Sequence, residues 1–156
     1  MNETALNPDI VITVERWNEA CPDLAALVAR CSQAVAKREA VRGDVCFLFT
    51  DDAYMQQLNR DFRGKDKPTN VLSFPGPPDD AQLGDIALGL ETCDTESTNT
   101  GISMQDHTAH LLVHGLLHLI GYDHMDDSDA SIMETRESEI LASLGIADPY
   151  HDEEIS

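Results

Sequence analysis

The sequence predicts a single α+β domain, a mixed β-sheet covered by helices. Three observations predict it. The length of 156 residues suits one hydrophobic core rather than two. Short β-branched or wholly apolar runs recur along the chain, each the length of a strand. Between and after them, longer stretches repeat apolar residues at helical spacing. No internal repeat, low-complexity tract or linker divides the chain. Residues 1–156 are therefore expected as one domain, with 1–8 and 151–156 as mobile tails.

The elements follow in order. Ile10 to Val14 is a β-branched run and predicts the first strand. From Asp23 to Arg38, Leu24, Leu27, Val28, Cys31 and Val35 fall on one face of an amphipathic helix. Val45 to Phe49 is continuously apolar, as in a strand buried on both faces. Thr50 offers an N-cap to the next helix, with Asp51 and Asp52 in its first turn, where they complement the helix dipole. That helix is expected to carry Met55, Leu58 and Phe62 inward. Asn70 to Phe74 predicts a strand stopped by Pro75-Gly76-Pro77-Pro78, and Gly84 to Leu90 predicts another. Glu91 to Gly101 is polar and reads as a loop or a helix edge. Ser103 and Asp106 resemble a capping box that starts the next helix. A last helix begins near Asp127 or Ser128, presents Ile132, Met133, Ile140, Leu141 and Leu144, and ends at Gly145.

Composition narrows the function. A formal charge of −19 argues against bulk attraction to nucleic acid or to an anionic membrane, so a polyanion must be met by a local patch. The first nine residues have neither the basic region nor the apolar core of a signal peptide. The longest apolar stretch is too short and too rich in histidine to span a bilayer. Cys21, Cys31, Cys46 and Cys93 are scattered and expected as free buried thiols. A cytoplasmic location without membrane contact follows.

The chemistry gathers in His114-Gly115-Leu116-Leu117-His118-Leu119-Ile120-Gly121-Tyr122-Asp123-His124. On a helix, His114 and His118 lie one turn apart on one face. Gly121 can end that helix with positive φ and return the chain, so that His124 approaches the pair. Three imidazoles with a fourth position open describe a catalytic zinc site. The spacing is that of the extended zinc-protease motif, with one departure: Gly115 stands where the protease places its water-activating glutamate. A peptidase is therefore disfavoured, while a metal site is retained. His107 and His110 fall near the same face and are candidates for outer contacts or for polar positions at a cleft mouth. Asp123 could orient a ligand imidazole or be an exposed turn residue. His151 is expected in solvent.

Four of the ten Lys and Arg lie between Arg60 and Lys67. On so acidic a chain this clustering stands out. Gly64 is expected to keep the loop flexible. An arginine fork suits a phosphate, and beside a metal it suits a phosphodiester.

Three segments together resemble the bacterial YbeY endoribonuclease and rRNA maturation factor family: Arg63 to Pro75, Leu83 to Ile86, and His114 to His124. The similarity runs from about Val45 to Tyr150. It implies a zincin-like α+β fold with one zinc ion held by His114, His118 and His124. It also implies that Arg63 is needed for RNA cleavage. The implied activity is that of a single-strand-specific endoribonuclease in ribosomal RNA maturation, notably at the 3′ end of the small-subunit RNA, and in ribosome quality control. A small-subunit ribosomal protein or a ribosome-associated GTPase is the implied partner that delivers substrate. On this reading Lys65 and Lys67 steer the RNA backbone. Asp85 enters as a general-base candidate only through the matching segment. The rivals are a metal hydrolase of another substrate class and a non-catalytic ribosome assembly factor with a structural zinc.

Overall fold

A computed structural model describes residues 5–77, 81–122 and 127–149. Its elements are β1 (Leu6–Ile12), α1 (Arg16–Ala20), α2 (Leu24–Glu39), β2 (Gly43–Thr50), α3 (Asp52–Arg63), β3 (Val71–Pro75), β4 (Gln82–Gly89), α4 (Leu90–Thr100), α5 (Met104–Leu119) and α6 (Asp127–Ser143). The four strands form a mixed sheet in the order β1-β2-β4-β3. β1, β2 and β4 run parallel, and β3 closes one edge antiparallel to β4. The expected α+β domain with a mixed sheet is what forms.

Side-chain alternation divides the sheet into two faces. Val45, Phe47 and Phe49 of β2 and Ile86 and Leu88 of β4 enter the main core with the apolar stripes of α2, α5 and α6. The opposite face is smaller: Met55 of α3 covers Leu72 and Ala87, with Leu48, Leu58 and Phe74 partly buried beside them. β2 is thus fully buried on one face only, because α3 alone covers the other.

Several expectations are corrected. β1 begins at Leu6, so Leu6 to Pro8, expected in a mobile tail, belong to the sheet, while residues 1–4 and the expected tail 151–156 lie outside the described residues. The β2 ladder draws in the polar Asn7-Pro8-Asp9 stretch despite its poor strand propensity, and Pro8 is tolerated because β1 is an edge strand. Asp51, not Thr50, caps α3, its carboxylate accepting from the Tyr54 N–H at 2.9 Å. Thr50 stays in β2, where its carbonyl accepts the indole N–H of the fully buried Trp17 at 2.8 Å. Phe62 and Ile132 point outward, 67% and 52% exposed. α1 went unread because five residues show no helical period. Of the loop or helix edge expected over Glu91 to Gly101, a helix forms, α4. Its apolar stripe is only Leu90 and Cys93, and non-local carboxylates fasten it instead. Asp52 accepts from the N–H and hydroxyl of Thr92, while Glu91 accepts from the N–H of Asp52, so each helix caps the other.

Candidate active-site cleft

α5 starts where expected, with the Ser103 hydroxyl accepting from the Asp106 N–H at 3.1 Å. Its histidines form a row along one face. Ring centroids lie 6.4 Å apart for His107–His110, 6.4 Å for His110–His114 and 5.1 Å for His114–His118, all edge to face. Just past the helix, Gly121 takes φ +114°, the positive value expected of the turn residue. The expected third ligand, His124, and its neighbour Asp123 lie outside the described residues, as does His151.

Gly115 faces the sheet. A Cβ there would meet the Ser73 hydroxyl at 3.1 Å and two carbons of Ile86 at 3.2 Å. The Ser73 hydroxyl also donates to the Gly115 carbonyl at 3.2 Å. The glycine therefore lets α5 approach β3 and β4 closely enough to hang His114 and His118 over the sheet edge. Any side chain at this position would have to displace Ser73 or Ile86.

His114 and His118 open onto a cleft of about 840 Å³. Arg63, Lys65 and Lys67 line the same cleft from the end of α3 and the loop after it, so the fold brings five of the six expected site residues to one cavity. α3 ends at Gly64 in a left-handed turn, φ +70°, which shapes the basic segment rather than loosening it. Buried Asn59 donates to the Lys67 carbonyl at 2.9 Å and holds that segment to α3. Arg63 reaches across β3, donates to the Ser73 carbonyl at 2.8 Å and lies over the Phe74 ring. Tyr122 completes the cleft beside the histidines, its hydroxyl donating to Glu39 at 2.7 Å.

The remaining candidates separate. His107 is buried and donates to Glu96 at 2.9 Å, and Asn70 donates to the same carboxylate. Asp85 is exposed on β4 between Gly84 and Ile86, which face α5, so alternation turns it to the other side of the sheet, away from His114 and His118. That placement removes Asp85 as a base for this cleft. Cys21, Cys31 and Cys93 are buried and free, and burial pushes the Cys31 thiol up to about 12. Cys46 is free but only partly buried.

Glu137 is the residue the chain order did not reveal. It is 1% exposed, on α6, and a single oxygen takes both His110 Nε2 at 2.8 Å and His114 Nδ1 at 3.1 Å. Burial acts to raise its carboxyl pKa, but the two imidazole hydrogen bonds and the charge behind them outweigh this and hold it down to about 2. A signal did exist. Glu137 interrupts the buried stripe Met133, Ile140, Leu141, where a carboxylate needs a partner.

The donor chemistry fits a divalent ion of the zinc type. Two imidazoles lie one turn apart at the cleft wall, and Glu137 holds Nδ1 of His114, the kind of carboxylate support that metal-ligating imidazoles have. Among the described residues no group of three potential ligands converges, and the third expected donor falls at position 124.

Residues 9–145 match the family model described as Endoribonuclease YbeY. The chain is 47% identical to the endoribonuclease YbeY of Sphingopyxis alaskensis over 85% of its own length and 93% of the relative's. It is 46% identical to that of Paramagnetospirillum magneticum, over 88% and 91%. It is 44% identical to that of Paracoccus denitrificans, over 94% and 91%. Among solved structures, the solution structure of TM1509 from Thermotoga maritima shares the fold, with a TM-score of 0.58 and 21% identity over 92% of this chain and 97% of that one.

Proposed function

The chain belongs to the endoribonuclease YbeY family, and from that premise we propose that it is a zinc-dependent endoribonuclease of single-stranded RNA. Its place would be ribosomal RNA maturation at the 3′ end of the small-subunit RNA and ribosome quality control, in the cytoplasm. Among the described residues no helix is long and apolar enough to cross a membrane. The observation that carries the reading is the shared cleft: metal-type donors on one wall and phosphate-type donors on the other.

His114, His118 and, by the motif, His124 would hold a zinc ion, which when bound would supply Lewis acidity. Everything else falls to the protein's own side chains. Glu137 accepts the Nδ1–H of His114, and that bond would fix the tautomer and orientation of a ligand imidazole. Arg63 offers its fork to the scissile phosphate and stabilises the charge that builds on it. Its present bond to the Ser73 carbonyl uses one arm and pre-aims the guanidinium. Lys65 and Lys67 hold neighbouring phosphates. With −19 on the whole chain, delivery by a small-subunit ribosomal protein or a ribosome-associated GTPase would overcome long-range repulsion of the RNA.

The test measures zinc content and RNA cleavage together. Arg63→Ala is expected to keep zinc and lose about 10²–10³ in cleavage rate. His118→Ala is expected to lose both. Full cleavage by metal-free wild type would sink the mechanism, and hydrolysis of casein with RNA left intact would return the site to the peptidases. A non-catalytic assembly factor would show rRNA maturation in cells undisturbed by Arg63→Ala and His114→Ala.

A further inference from the structure

We infer that Phe62 and Phe74 form a ledge on which an unpaired RNA base stacks where the strand leaves the cleft. The inference rests on the RNA reading above and adds a subsite to it. Phe62 sits in the last turn of α3 and is 67% exposed, the most exposed large hydrophobic among the described residues. Its ring packs edge to face on Phe74, with centroids 5.4 Å apart at 63°. The Arg63 guanidinium lies 5.7 Å from the centroid of that second ring. The ledge is thus built of two rings and a guanidinium in contact.

Its position gives it a purpose. β3 is the edge strand, with Ser73 turned toward α5 and Phe74 toward α3. Arg63 spans that edge, touching the Ser73 carbonyl and the Phe74 ring at once while also lining the cleft. A phosphate on Arg63 therefore has the aromatic pair on its outer side, at the distance a neighbouring base can reach.

The surroundings select the occupant. Phe62 is flanked in the chain by Arg60, Asp61, Arg63 and Lys65, a poor setting for a purely apolar partner. A nucleotide offers a flat π-face tied to an anion, which matches an aromatic ledge among cations. In a duplex the bases are stacked on one another and offer no free face. Preference for single strands then follows from stacking, without any reading of base sequence. The linear sequence hides this platform because the basic loop separates Phe62 from Phe74.

The experiment uses the zinc-loaded full chain and an RNA with phosphorothioate linkages, so that binding is measured with little cleavage. Its probe is a short unstructured single-stranded RNA at low salt. Phe62→Ala is expected to weaken binding on the order of tenfold, the contribution of one stacked base. Its melting temperature should stay near wild type, since the ring is mostly outside. Replacing one nucleotide at a time with an abasic one should find a position where wild type loses the same factor and Phe62→Ala loses nothing more. Phe62→Trp should bind as wild type does, with its fluorescence quenched by RNA. Trp17, the only natural tryptophan, is fully buried and serves as a constant background. Equal affinity of wild type and Phe62→Ala, or unchanged fluorescence of Phe62→Trp at saturating RNA, would overturn the ledge alone. Failure of wild type to bind RNA even at high protein and RNA concentrations, where delivery is not needed, would overturn the RNA reading and the ledge with it.

Discussion

The two walls of the cleft are built by opposite physical rules. The α5 wall is rigid and connected: His114 hangs from a helix packed against the sheet, and a buried carboxylate on a second helix holds its inner nitrogen. The α3–β3 wall is exposed and cationic, with Arg63 at the end of α3 and Lys65 and Lys67 on the loop that follows, which Asn59 fastens through the Lys67 carbonyl. The difference follows from what each must bind. A metal demands fixed ligand geometry, so its donors need support from the core. A polyanion demands charge that can follow a flexible backbone, and side chains in solvent supply it.

The harshest test of the first wall is Gly115→Glu. A charged side chain forced between α5 and β4 has neither space nor a partner, so loss of soluble folded protein is expected; a folded, stable variant would show that the helix is not held closely. Glu137→Gln is gentler and separates orientation from folding. Its amide oxygen can still accept from both imidazoles, but without the negative charge that strengthens those bonds and fixes the rings, and zinc affinity measured against a chelator should fall about 10–100-fold. The same variant carries a pH signature. Because the folded-state pKa of Glu137 is depressed to about 2 from an ordinary 4.5, its contribution to stability is present above that ordinary value and is lost as pH falls toward 2. Metal-free wild type should therefore lose stability across that acid window, and Glu137→Gln should lose less there. The second wall responds least. Lys65→Ala and Lys67→Ala should each weaken RNA binding modestly and lower the slope of log affinity against log salt by about one. A salt-independent loss would mean that the lysines act on the loop rather than on phosphate.

Legibility in the sequence followed the range of the interactions. α2 and β2 were readable because their apolar periods record burial directly, and Ser103 marked the start of α5. α4 was not, because Asp52 and Glu91 cap each other's helices across nearly forty residues of chain, an exchange no local window contains. Thr50 misled because its hydroxyl resembles a cap, whereas Trp17 and Thr13 claim it for the sheet. Phe62 misled because helical spacing predicts a face but cannot tell which face the sheet covers.

From the sequence alone came the two histidines at one-turn spacing, the glycine in place of a catalytic glutamate and the basic cluster. These are local facts of residue type and interval. Only the tertiary structure decided that Arg63 crosses the β3 edge to face the histidines, that Glu137 turns inward to His114, and that Asp85 turns away. Such choices depend on strand order and on which helix packs on which face. Those are set by the burial of side chains distant in the chain, so the interval between two residues carries no record of them.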